Sequence, residues 1–323
     1  MSGRIVISLG IAWVLIGSCA FAGPSGANTV SSMARTEGHL PAAVAKNERT
    51  AIERARWTTN VSVSVSADTW TFRSDGIPES TFLASHYAVP STPLDVSAAG
   101  ASVIATSQVL RNQNYSLTLP TTPKYSSTTT PTALGPIGVM LDGAVLYNPY
   151  EANKATVATR DNFSVTANGT TASFLDSCDG HPGPGGMYHY HGLPDCLVQY
   201  ATTGTVAQTT SVSSFSGTTT PPVAETNAAA RKPVVLGFAL DGYGIYDNIA
   251  MDGKIIKVAS LDACNGIFSV VPGYPHGVYH YVLENVRTNR SSLNCFHGNV
   301  TSHLSMQMSG PNGSGAGSGP PPG

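Results

Sequence analysis

The chain has 323 residues, 11% of them charged, and a formal net charge of −2. That length can bury one large core or two ordinary ones, and so balanced a charge excludes the basic surface that nucleic-acid binding requires. The 33 glycines and 22 prolines, with many serines and threonines, point to a mainly β, loop-rich, exported protein.

At the N-terminus Arg4 precedes an apolar stretch, Ile5 to Gly17, which is too short to cross a bilayer comfortably. Ala20-Phe21-Ala22 is a small-x-small cleavage site, so residues 1–22 are expected to be a signal peptide and the mature protein secreted or periplasmic. Ile16-Gly17-Ser18-Cys19 offers a second reading, a lipoprotein anchored through Cys19. Cleavage after Ala22 leaves Cys178, Cys196, Cys264 and Cys295. Four cysteines without CxxC spacing in an exported chain predict two disulfides, with three possible connectivities. Of these, Cys178–Cys196 with Cys264–Cys295 is favoured.

Residues 23–56 read as a linker, with a short surface helix from Ala42 to Arg56. Residues 57–130 read as an N-terminal β segment. There Val61, Val63 and Val65 alternate with serines, Trp70-Thr71-Phe72 continues the pattern, and Asp75-Gly76-Ile77-Pro78 turns the chain. Val103-Ile104-Ala105 and Tyr115 to Leu119 are further strands. This segment is expected to complete the sheet formed by residues 131–305.

Between 131 and 305 the sequence repeats itself in four blocks. Gly138-Val-Met-Leu-Asp142-Gly143 returns as Gly237-Phe-Ala-Leu-Asp241-Gly242, and Leu146-Tyr147-Asn148 as Ile245-Tyr246-Asp247. Leu175-Asp176-Ser-Cys178-Asp179-Gly180 returns as Leu261-Asp262-Ala-Cys264-Asn265-Gly266, and Gly186-Met-Tyr-His189-Tyr as Gly277-Val-Tyr-His280-Tyr. Four blocks in the same order predict internally duplicated β units, packed together and stapled by disulfides. The loop from Thr202 to Pro222 would join the copies, and residues 306–323 would form a disordered Gly/Ser/Pro tail. Seven N-x-S/T sequons, Asn60 and Asn299 among them, are candidate glycan acceptors.

The chemistry centres on Tyr188-His189-Tyr190-His191. Read as a strand, it sends both tyrosines one way and both histidines the other. Two imidazoles on one strand face can hold one metal ion. His181, after the Asp179-Gly180 turn, and Asp176 complete the candidate metal set in the first copy, and His280, near His276, His297 and Asp262, marks the second. Val282 stands where the first copy has His191. Asp142 and Asp241 end apolar strands and are candidate catalytic carboxylates, although Asp-Gly is also an ordinary hairpin turn. Without HExxH, Gly-x-Ser-x-Gly, P-loop or Rossmann motifs, zincin, serine hydrolase and nucleotide chemistry have no support in the sequence.

The run Asp179-Gly180-His181 … Tyr188-His189-Tyr190-His191-Gly192-Leu193-Pro194-x-Cys196, followed by Gly237-x-x-Leu240-Asp241-Gly242-x-x-Ile245-Tyr246, resembles the YHYH-domain proteins, over roughly residues 57 to 300. The resemblance implies an exported protein with a Gly/Pro-rich tail. The chain departs from that pattern at Ser80, at Arg231-Lys232 and at Val282. The expected function is a secreted or periplasmic metal-binding protein using zinc or copper, with metal-dependent catalysis as its stronger form and a small molecule or polysaccharide as partner. The alternative is a structural or carbohydrate-binding cell-surface module without catalysis.

Overall fold

The computed structural model describes residues 49–78, 110–158, 164–167, 170–173, 175, 178–205 and 231–301. The expected signal peptide with Cys19, the expected strand at 103–105, Ser80, Asp176, most of the Thr202–Pro222 stretch and residues 302–323 lie outside them.

Period-2 alternation of valine and serine produces β1 (Val61–Val65), which pairs antiparallel with β2 (Thr69–Ser74), and β2 pairs with β3 (Tyr115–Pro120). These three strands form a sheet of their own. The expectation that they complete the main sheet is therefore corrected. Their inward side chains pack on it face to face instead: Trp70 lies 5.2 Å, ring to ring, from Phe238 of the main sheet, and Trp57 lies within 5.9 Å of Trp70, Phe72 and Phe238. Large aromatic side chains dominate the burial between two sheets packed face to face. The helical turns at 49–54 join this core through Ile52, which is 1% exposed and whose carbonyl accepts the Trp57 indole N–H. The stretch read as a surface helix thus carries a core anchor.

After the two-residue β4 (Thr130–Pro131), the chain enters the main sheet with β5 (Pro136–Met140) and β6 (Val145–Tyr147). A separate hairpin, β7 (Ser164–Ala167) with β8 (Thr170–Ser173), precedes β9 (Gly180–Pro182) and β10 (Tyr188–Tyr190). A helix, Asp195–Thr203, comes next and ends on Gly204 in the left-handed conformation, φ 81°. Thr202 and Thr203 therefore close a helix rather than open the loop. Its Cys196, Leu197 and Val198 are buried. The second half supplies β11 (Val235–Ala239), β12 (Gly244–Tyr246), β13 (Gly266–Val271) and β14 (Tyr274–Val282), and β15 (Cys295–Phe296) pairs with β4.

Eight of these strands make one sheet in the order β13-β14-β12-β11-β5-β6-β10-β9. Read outward from its centre, the order places the repeated blocks at matching positions on both sides. β5 meets β11 antiparallel, β6·β10 and β12·β14 are parallel, and β9·β10 and β13·β14 are antiparallel. The first glycine of each Leu-Asp-Gly block sits at the central seam. A Cβ on Gly237 would strike the Val139 carbonyl, and one on Gly138 would come within 3.0 Å of the Phe238 carbonyl.

Each Asp-Gly dipeptide closes a three-residue hairpin loop. Gly143 N–H bonds Met140 O at 3.0 Å and Gly242 N–H bonds Ala239 O at 2.9 Å, with φ of 89° and 93° at the two glycines. Disulfides Cys178–Cys196 and Cys264–Cys295 staple the two halves separately. The Asn60 sequon is spent on folding: its amide nitrogen donates to Ile77 O at 2.7 Å and Asp142 O at 3.0 Å.

Candidate metal centre

The sheet register decides which side chains meet. His189 on β10 lies directly opposite His181 on β9, and His191 is two residues further on, on the same face. The three imidazoles are 3–5% exposed, with ring centroids 4.3, 4.8 and 5.5 Å apart. One nitrogen from each lies within 4.8 Å of the others. This group could bind a metal ion.

Hydrogen bonds fix how the rings are turned. His189 Nδ1 lies 3.0 Å from Met187 O and His191 Nδ1 2.8 Å from Asn148 O. A carbonyl can only accept, so both Nδ1 atoms carry the proton and both Nε2 atoms keep a lone pair. Tying the remote ring nitrogen to a backbone carbonyl is how proteins orient metal-bound histidines. His181 Nε2 stands 3.4 Å from His191 Nε2, and two nitrogens on a tetrahedral zinc at 2.0–2.1 Å would be about 3.3 Å apart. Burial, with mutual repulsion among the rings, lowers the pKa of His181 to about 3 and puts His189 well below the ordinary histidine value. Burial lowers His191 to about 4, against the pull of its Asn148 bond. All three are neutral at pH 7, the form that ligates.

The surroundings are shaped for these rings. Tyr147, half-buried, stacks on His189 at 3.9 Å and meets His191 edge-on at 5.7 Å. Its hydroxyl donates to the Met187 sulfur at 3.0 Å. A Cβ on Gly183 would come within 2.9 Å of His189 Cε1. In the sequence Tyr147 reads as a core aromatic, and Met187 attracts no role. The signal for Met187 was there, since it shares the strand face of His189 and His191.

The other candidates lie elsewhere. Asp142 and Asp241 are 0% exposed. Asp142 Oδ2 accepts the Tyr190 hydroxyl at 2.6 Å, and Asp241 Oδ2 accepts Tyr281 Oη at 2.6 Å and Gly298 N–H at 2.9 Å. Both carboxyls therefore sit on the tyrosine side of the sheet, away from the histidines, beneath the three-stranded sheet. Ser74 and Asn60 crowd Gly143, and Pro120 crowds Gly242. Burial raises the pKa of Asp241 even against its three hydrogen bonds.

His280 is 1% exposed, and burial lowers its pKa to about 4. Its Nδ1 repeats the bond of His189, to Val278 O at 3.0 Å, and Tyr246 packs against its ring edge-on at 4.9 Å. The residue opposite it is Ile267, and Val282 lies two positions on. The second half thus keeps one imidazole and its backbone bond, with aliphatic Ile267 and Val282 at the places of the other two. His276 is exposed. His297 Nε2 pairs instead with Asp262 Oδ2 at 3.2 Å, beside the Tyr279 hydroxyl. Cys264 is close to that pair, but its sulfur is bonded to Cys295, so it has no thiolate to offer a metal.

Residues 116–255 match the family model described as YHYH protein. The match is narrower than the resemblance read from the motifs, and it ends before β13 and β14, leaving out His280. No curated protein and no solved structure matches the chain significantly. Among the described residues no helix is long and apolar enough to cross a membrane. The matched span runs from β3 through the three-histidine strand pair to Ile255, and over it the chain is similar to the YHYH protein family.

Proposed function

We propose that this is an exported metal-binding protein whose YHYH domain holds one zinc or copper ion between His181, His189 and His191. The observation that carries the reading is the orientation of the rings. His189 and His191 have their Nδ1 tied to a carbonyl, which leaves a neutral Nε2 lone pair on each; His191 Nε2 stands 3.4 Å from His181 Nε2, and one nitrogen from each of the three rings lies within 4.8 Å of the others. Three protein ligands leave a coordination position open, the arrangement that serves metal-activated water in hydrolases. Burial of all three rings to 3–5% favours retention of an ion over turnover of a polymer. Arg4, the Ile5–Gly17 stretch and Ala20-Phe21-Ala22 support export, as do two disulfides, which persist in oxidising compartments.

The test is calorimetric titration of the apoprotein with Zn(II) and Cu(II). Wild type and His280→Phe are expected to bind one equivalent, whereas His181→Ala and His191→Ala lose the site. Equal binding by all four proteins, or none by any, would contradict the reading. Histidine variants that alter stability while wild type binds no metal would favour a structural module.

A further inference from the structure

The two halves of the sheet form an internal comparison. Tyr147, Tyr188, His189 and Tyr190 of the first half have counterparts of the same residue type in the second, Tyr246, Tyr279, His280 and Tyr281. Three positions on the histidine face, all buried in the first half, change together. Val282 replaces His191 and Ile267 faces His280 where His181 faces His189, so both additional imidazoles are gone. The third change is Met187, whose place is taken by Val278. The thioether thus disappears together with the two extra histidines, while the shared scaffold stays.

Met187 is 3% exposed and precedes His189 by two residues on the same strand face. Its sulfur rests on the hydroxyl of Tyr147, whose ring covers His189. Three rotatable bonds let a methionine sulfur move between neighbouring partners without moving the backbone. The cluster contains three imidazoles and no carboxylate, which disfavours hard cations, and a thioether beside imidazoles suits copper(I) far better than zinc.

We infer that Met187 is a fourth, soft ligand of this centre and that the ion it selects is copper(I). The inference rests on the metal-binding reading above. The side chain leaves the Tyr147 hydroxyl and turns its sulfur to the ion. No electron transfer is involved, since copper enters and stays monovalent.

The test uses the full mature chain, anaerobically and with ascorbate, titrated with Cu(I) against a chromogenic Cu(I) chelator and separately with Zn(II). X-ray absorption of the copper-loaded wild type is expected to show a sulfur scatterer alongside nitrogen. Met187→Leu should lose that sulfur and about tenfold or more of Cu(I) affinity, with Zn(II) affinity unchanged. An all-nitrogen copper site in wild type, which needs no variant to be seen, would overturn the inference while leaving metal binding intact. Equal loss for both ions in Met187→Leu would mark the residue as packing and also overturn it. If wild type takes up neither ion, the metal-binding reading itself falls, and this inference with it.

Discussion

Acidifying the metal-free protein should unfold it well above the carboxylate range. Four buried histidines, His181, His189, His191 and His280, have folded-state pKa values below their ordinary 6.5, mainly through burial. Between pH 6.5 and the folded values the unfolded chain binds protons that the folded one does not, so stability rises with pH and is lost on acidification. Each such group contributes up to 1.36 kcal/mol per pH unit in that window. For His191 and His280, lowered to about 4, the loss at pH 5 is about 2 kcal/mol each. His181 and His189, also lowered by burial and by the neighbouring rings, act in the same sense. Asp241 and Asp247, both raised by burial, the latter to about 6 despite its ion pair with Arg231, act in the opposite sense below pH 6 and offset part of this. The assay is urea unfolding of EDTA-treated protein, monitored by circular dichroism, at half-unit steps from pH 7.5 to 4.5. The expected result is a midpoint that falls steeply below pH 6.5, less steeply in His280→Phe. A midpoint that stays flat from pH 7 to 5 would refute the reasoning that these rings are buried and neutral.

The packing leads to three further expected outcomes. Tyr281→Phe removes the hydroxyl that donates to Asp241 and accepts from His297 N–H, leaving two buried groups short of a partner. It should lower unfolding free energy by about 2–4 kcal/mol, and a loss below about 1 kcal/mol would contradict that geometry. The double variant Cys178→Ser, Cys196→Ser opens the 18-residue separation that frames His181, His189 and His191. It should lose roughly 3 kcal/mol in denaturant unfolding and weaken metal binding as well, whereas unchanged affinity would show that the staple does not organise the centre. In a glycosylating host, mass spectrometry should find Asn60 unmodified, because its amide is bonded inward, and exposed Asn299 occupied. A glycan at Asn60 on folded protein would be the contrary result.

Local rules carried a good deal of this architecture. Alternation named β1, β2 and β3, the Asp-Gly dipeptides marked both hairpins, and cysteine number with the favoured pairing matched the two disulfides. The strand reading of Tyr188 to His191 placed the histidines on one side and the tyrosines on the other, as the Tyr190–Asp142 bond and the His181–His189 pairing show. What failed was non-local. Whether β1–β3 extend the main sheet or cover it depends on Trp57 and Trp70 meeting Phe238, more than 160 residues away, and alternation within a strand is silent on that. The helix Asp195–Thr203 was hidden because two threonines at its end read as loop. The tyrosine partners of Asp142 and Asp241 lie 48 and 40 residues away in sequence. No local pattern separates a carboxylate that anchors a turn from one poised for chemistry.

The most direct test of the central claim is elemental analysis of the untagged protein purified without chelators. The account predicts about one zinc or copper per chain, lost in the His181→Ala, His191→Ala double variant. Less than about 0.2 metal per wild-type chain, with no uptake of zinc or copper by the apoprotein, would contradict it.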